Sequence, residues 1–129
     1  MPADFKRRID EAYGGQFFIT SKDGLVAEIY PLPEWEKIEA KIAAISSFNP
    51  AKKKFLERVN YYGQMVDMDS QGRLLLPQIL RDSAKVTGDV DVFGRITYLE
   101  VVNHEAFQKD LDASPWTAED ALNLESHGV

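Results

Sequence analysis

The residues best placed to do chemistry are Asp69 and Arg73, the ends of the run Asp69-Ser-Gln-Gly-Arg73. That run continues into Leu74-Leu-Leu-Pro77 and Leu80-Arg81. The chemistry on offer is recognition. A guanidinium carried on a tight turn can enter a DNA groove and grip guanine O6/N7 or two phosphate oxygens. Gln71 and Gly72 let the backbone reverse, because glycine accepts a positive φ. Gly72 also keeps the turn thin enough to approach a duplex. Asp69 suits a structural role, capping the turn and holding Arg73 in place. A bare D-x-x-G-R occurs in many hairpins, so on these residues alone the default reading of Arg73 is a solvated turn side chain. A second basic cluster, Lys6, Arg7 and Arg8, reads either as a solvated helix face or as DNA ligands. Lys52 to Lys54 read as the wet side of a helix.

Other chemistry finds little footing. The 129 residues contain no cysteine, which excludes disulfides and thiolate nucleophiles. His104 and His127 have no neighbours at metal-ligand spacing. Ser46-Ser47 has no histidine nearby, and no glycine-rich phosphate loop is present. The reading is a non-enzymatic protein with no metal, cofactor or small-molecule ligand. No apolar run approaches the roughly 20 residues that cross a bilayer, and the first residues do not resemble a signal peptide. A cytoplasmic protein with no membrane partner is expected. The net charge of -6 argues against indiscriminate nucleic-acid binding, but the charge is unevenly spread. Up to Asn60 there are ten Lys/Arg against nine Asp/Glu; from Tyr61 onward there are five against twelve. An acidic tail beside a near-neutral body leaves room for a local basic face.

The elements that must hold the turn come from an internal repeat. Pro2-Ala-Asp-Phe5-Lys6 resembles Pro77-Gln-Ile-Leu80-Arg81, which sets Arg81 in the place of Lys6. Gly15-Gln-Phe17-Phe-Ile19 resembles Gly88-Asp-Val90-Asp-Val92, and Ile29-Tyr30 with Trp35 resembles Val101-Val102 with Phe107. The offset between copies drifts from 75 to 73 to 72 residues. Each copy reads helix, strand, turn, strand, helix. A helix is expected over Asp4–Ala12, with strands over Gln16–Thr20 and Leu25–Tyr30. A helix from Pro33 should place Trp35, Ile38, Ile42 and Ile45 on one face, with Trp35 in the core or at a subunit contact. Another helix, capped by Asn49-Pro50, should turn Phe55, Leu56 and Val59 inward. Tyr61 to Asp67 reads as a strand, and Leu74 to Leu76 as a short buried strand. Pro77 starts a helix, where its missing N–H costs nothing. A final helix runs from about Asn103 to Leu111. Beyond Asp112 the chain reads as a loosely docked tail, with Trp116 either an anchor or merely exposed.

On Asp69-Ser-Gln-Gly-Arg-Leu-Leu-Leu-Pro-Gln-Ile-Leu-Arg81 and Ile29-Tyr-Pro-Leu-Pro-Glu-Trp-Glu-Lys37, the chain resembles the MraZ family of bacterial transcriptional regulators, within the AbrB-like group. The resemblance covers Met1 to about Leu111. It implies a mainly β, α+β fold with peripheral helices: a double split β-barrel built by two repeats with interleaved strands. It also implies ring-shaped homo-oligomers that bind direct repeats in double-stranded DNA upstream of a division and cell-wall gene cluster. The expected organisation is a first repeat over 1–47, a linking helix over 48–60, a second repeat over 61–111 and an acidic tail over 112–129. The DNA-contacting residues so implied are Arg73, Gln71, Gly72, Arg81, Lys6, Arg7 and Arg8, with Asp69 and Pro77 shaping the turn. The chain departs from the family pattern at Met1-Pro-Ala-Asp-Phe5, which matches the segment following the first D-x-x-G-R turn. The expectation is either a start further upstream or a shortened form, with the exposed strand edge covered by a neighbouring subunit. Two other readings stand beside the regulator. One is an oligomeric, antitoxin-like protein-binding module whose acidic tail engages a basic partner. The other is a truncated relative unable to bind DNA.

Overall fold

The computed structural model describes residues 15–87 and 90–129. The expected helix over Asp4–Ala12 and the basic residues Lys6, Arg7 and Arg8 lie outside the described residues. Five antiparallel strands form one sheet: β1 (Gln16–Thr20), β2 (Val26–Pro31), β3 (Gln64–Asp67), β4 (Val90–Gly94) and β5 (Leu99–Asn103). Their spatial order is β3-β1-β2-β5-β4. Five helices accompany them: α1 (Leu32–Ala43), α2 (Pro50–Tyr62), α3 (Gln78–Ser83), α4 (His104–Ala113) and α5 (Ala118–Glu125). The α+β class expected from the sequence is what the described residues form.

The register of the sheet carries the sequence repeat. Phe17 of β1 faces Pro31, and Val90 of β4 faces Asn103, so equivalent strand pairs recur at offsets of 73 and 72 residues. The lost residue is in the loop: residues 21–25 join β1 to β2, whereas residues 95–98 join β4 to β5. At the centre β2 pairs with β5, and Glu28 stands directly opposite Glu100, its own counterpart at the 72-residue offset. An approximate two-fold axis therefore passes between these glutamates. The repeats also interleave, because β3, from the second half of the chain, pairs with β1 of the first.

Two opposed like charges on a sheet are unfavourable unless neutralised. Each repeat supplies its own cation from its hairpin loop. Lys22 Nζ lies 3.3 Å from Glu28 Oε2, and Arg95 Nε lies 2.8 Å from Glu100 Oε1. The Tyr30 hydroxyl donates to Glu28 at 2.7 Å and the Tyr98 hydroxyl donates to Glu100 at 3.2 Å. Burial first, then the neighbouring carboxylate, raises the pKa of both phenols. Both therefore stay protonated as donors.

Strand alternation divides the apolar residues between two faces. On one face Phe17, Ile19, Ala27, Ile29, Leu99 and Val101 pack with Leu80, Ala84 and Val86 from α3 and the segment after it. On the other, Tyr30, Trp35 and Val59 are buried with Phe18, Ile38, Phe55 and Tyr98 against them. Trp35 is the centre of that second cluster, stacked 4.5 Å from Phe18 and 6.3 Å from Phe55. It is a core residue. The Asn49 cap forms as expected, its side chain accepting from the amides of Ala51 and Lys52.

Several expectations need correction. Tyr61 and Tyr62 are helical, because α2 runs to Tyr62 and is capped by Gly63 before β3 begins. Leu74 to Leu76 alternate in burial like a strand, with Leu75 70% exposed, but join no strand ladder among the described residues. Ile45 lies past the end of α1 and is largely outside the core. Leu56 is only partly turned inward. Lys52 is half-buried, its ammonium donating to the Ile45 carbonyl at 2.9 Å. The tail contains a formed helix, α5, capped by reciprocal Thr117–Asp120 hydrogen bonds.

The β1–β2 loop is locked onto α3. Ser83 Oγ donates to the Gly24 carbonyl at 2.6 Å. Gly24 has φ +74°, and a Cβ there would collide with the Tyr62 hydroxyl and come within 2.7 Å of Ser83 Oγ. Gly24→Ala should therefore lower the unfolding free energy by about 2 kcal/mol or more, from backbone strain plus overpacking. Gly94→Ala, where a Cβ meets nothing within 4 Å, should stay within about 0.5 kcal/mol of the parent. Urea denaturation midpoints check both, and equal midpoints would contradict the lock.

Candidate nucleic-acid interface

Strand β3 delivers the turn. It ends at Asp67 on an outer strand of the sheet, and the chain reverses immediately afterwards. Asp69 organises the reversal with every polar atom it has. Its Oδ1 accepts from the amides of Gln71 and Arg73 at 2.9 and 2.8 Å. Its carbonyl accepts from Gly72 N at 3.0 Å, and its own amide donates to the Arg73 carbonyl at 3.0 Å. Gly72 sits at φ +78°, a region that residues with a Cβ enter only at a cost. The sequence D-x-x-G is thus read directly as the geometry of the bend.

The second carboxylate oxygen of Asp69 reaches the side chain of Arg73. Oδ2 accepts from Arg73 Nε at 2.8 Å. The Arg73 side chain is 70% exposed, so the contact adds little stability. Its consequence is orientation. The carboxylate occupies Nε, which leaves the two terminal guanidinium nitrogens as the solvent-facing end. The Arg73 amide and then its guanidinium hold the Asp69 carboxyl below the usual carboxylate range. Asp69 therefore remains charged wherever the protein is folded near neutral pH.

The other sequence candidates take different places. Gln71 is exposed at the tip beside Arg73. Pro77 is the N-cap residue of α3, and its carbonyl accepts from the amides of Leu80 and Arg81 at 3.0 Å each. Arg81 is half-buried on α3, and its Nε is sealed from solvent without a partner among the described residues. The structure thus brings Asp69, Gln71, Gly72 and Arg73 into one bend, with Arg81 on the helix that follows. His104, which looks isolated in the sequence, pairs through Nδ1 with Asp91 Oδ2 at 2.9 Å, a contact created by β4 meeting α4. Among the described residues no group of three His, Cys, Asp or Glu side chains could hold a metal ion. Among them, too, no helix is long and apolar enough to cross a membrane.

Comparison with known proteins bears on this turn directly. Residues 63–121, which contain it, match the family described as "MraZ protein, putative antitoxin-like". The whole chain is 70% identical over 129 residues to a protein named "Transcriptional regulator MraZ" from Acidobacterium capsulatum, covering 88% of that protein. It is 45% identical over 130 residues to the protein of that name from Koribacter versatilis, again covering 88% of it. For the one from Thiobacillus denitrificans the identity is 32% over 128 residues, covering 86%. This chain belongs to the MraZ family. The resemblance carried by Asp69–Arg81 and Ile29–Lys37 thus extends, in these MraZ relatives, over essentially the whole chain.

The depressed Asp69 pKa fixes the direction of a pH effect. The folded turn favours the ionised carboxylate, so its contribution is complete above the ordinary aspartate range and is lost as pH falls through Asp69's own lower value. In an acid titration followed by NMR, the Gln71 and Arg73 amides should move together, with a midpoint below that of an unstructured aspartate. A midpoint at the unstructured value would show that Asp69 does not hold Arg73.

Proposed function

We propose that this MraZ-family transcriptional regulator acts by binding double-stranded DNA through the Asp69–Arg73 turn, displayed several times over by a homo-oligomer. The observation that carries the reading is the Arg73 guanidinium, fixed through Nε by Asp69 yet 70% exposed. Its terminal nitrogens offer two donors in a planar fork, the pattern suited to guanine O6/N7 or to a phosphate. Gln71 at the tip can add a hydrogen bond. Arg81, and Lys6 to Arg8 in the first repeat, supply charge toward the backbone. In this reading the repeats over 1–47 and 61–111 form the DNA-facing body, the helix over 48–60 links them, and residues 112–129 stand apart.

One such turn on a protomer of net charge -6 would bind weakly. Several copies held in one assembly raise the effective concentration of each contact. In this reading a ring facing direct repeats upstream of a division and cell-wall gene cluster would match copy to copy. The antitoxin-like alternative is favoured by the exposed acidic helix α5.

Binding to promoter DNA carrying direct repeats, measured at two salt concentrations, tests the reading. Arg73→Ala should lower the affinity about ten-fold or more, in line with the loss of a bidentate contact. It should also narrow the margin over scrambled DNA, while the mass of the oligomer stays unchanged. Equal binding by the variant, or no preference by the parent protein, would contradict the proposal.

A further inference from the structure

Among the described residues, a short helix and an open groove are left without partners. Helix α5 has eight residues, fewer than the roughly 12–15 that hold a helix together alone in water. Of those eight, only Ala121 is even half-buried. Leu122 is 65% exposed, and Trp116 just ahead of the helix is 68% exposed. Ala118, Ala121 and Leu122 recur at the spacing of one helical stripe. Such a helix, pre-capped by Thr117 and Asp120, is built to lie against something.

The groove lies between α1 and α2 on the β1 side of the sheet. It encloses about 490 Å³ and is lined by Phe18, Trp35, Ile42, Phe55, Leu56 and Met65 among others. Exposed apolar residues gather on or beside its walls: Met65 at 46% and Leu56 at 37%, with Ile45 at 38% and Phe48 at 96% in the connection between the two helices. A concentration of this kind marks an interaction surface. The lining itself carries one acid, Glu39, and one base, Lys52, and the helices around it are mildly basic. Residues 32–62, which contain both walls, carry six Lys/Arg against four Glu. Among the described residues no salt bridge involves Lys41, Lys52 or Lys54. Residues 114–129 carry Glu119, Asp120 and Glu125 with no Lys or Arg.

Among the described residues α5 does not reach the groove of its own chain. Only residues 114–117 separate α5 from α4, and α4 is tied to the other end of the sheet by Phe107 stacked 5.0 Å from Phe93 of β4. We infer that α5 of one protomer docks in the α1–α2 groove of a second copy, with Trp116 and Leu122 as apolar anchors and the acidic residues facing the lysines. The contact is head-to-tail. Each protomer offers one helix and one groove, so repetition of a single contact closes a ring when the rotation permits. This inference rests on the homo-oligomer reading above and assigns its seam.

Two full-length variants and their mixture test it by light scattering after gel filtration. Leu122→Lys spoils the helix and Leu56→Glu spoils the groove, both at exposed or partly exposed positions that the core does not need. Each alone should run as a monomer. Mixed, they should form a one-to-one dimer and nothing larger, because one intact helix meets one intact groove. That outcome also certifies that both variants are folded. Variants that keep the parent's oligomeric mass would overturn the seam, as would a mixture that stays monomeric. A parent protein that is itself monomeric would instead overturn the homo-oligomer reading. DNA binding measured on the same samples reports separately on Arg73.

Discussion

The pairing of β2 with β5 is the constraint on which the rest of the structure depends. It sets two equivalent strands face to face about a two-fold axis, so that Glu28 meets Glu100. The sheet tolerates that meeting because Lys22 and Arg95 neutralise the two carboxylates from equivalent loops. Once the seam is made, β1 and β4 follow as hairpin partners on either side. Strand β3 then crosses from the second repeat to cover β1. That crossing decides where the Asp69 turn emerges: beside an outer strand, directly after Asp67, with solvent beyond it.

The two halves are not equally covered. Ile19 of β1, flanked by β2 and β3, is fully buried, whereas its counterpart Val92 of β4 is 48% exposed. Among the described residues β4 has a single neighbour, β5. A strand edge and a helix that no described residue covers are features that a sheet protein can resolve by association. Assembly and DNA contact are thereby linked in this account. The protomer is acidic overall, yet it offers a guanidinium whose direction is fixed, and a fixed cation loses little freedom when it docks. In the proposed reading, many weak contacts from such turns would give a regulator whose affinity depends on its assembly.

Much of this was legible in the residues. The offsets of 73 and 72 were visible in Gly15–Ile19 against Gly88–Val92 and in Ile29–Trp35 against Val101–Phe107, because a repeated strand pair needs the same inward residues twice. The bend was legible because aspartate four residues before arginine, with glycine between, has few other ways to satisfy its amides. Elements that depend on neighbours were not. Leu74 to Leu76 have strand-like residues, but a strand needs a partner and none is described for them. Tyr61 and Tyr62 suit a strand, yet α2 carries them, because Val59 is buried beneath the helix and Thr20 Oγ1 donates to its carbonyl at 2.7 Å. Helix α5 hid behind the acidity of the tail, although Thr117 and Asp120 already spelled a capping box.

The most direct test uses the unaltered protein and a dicarbonyl reagent that modifies free guanidinium groups, read residue by residue by mass spectrometry. Arg73 should react readily in the free protein and be shielded by direct-repeat DNA but not by scrambled DNA. Arg58, on α2 and about half-exposed, should react alike in all three samples. If Arg73 reacted equally with and without direct-repeat DNA under conditions where the complex is fully formed, the turn would not be the part of this protein that reads DNA.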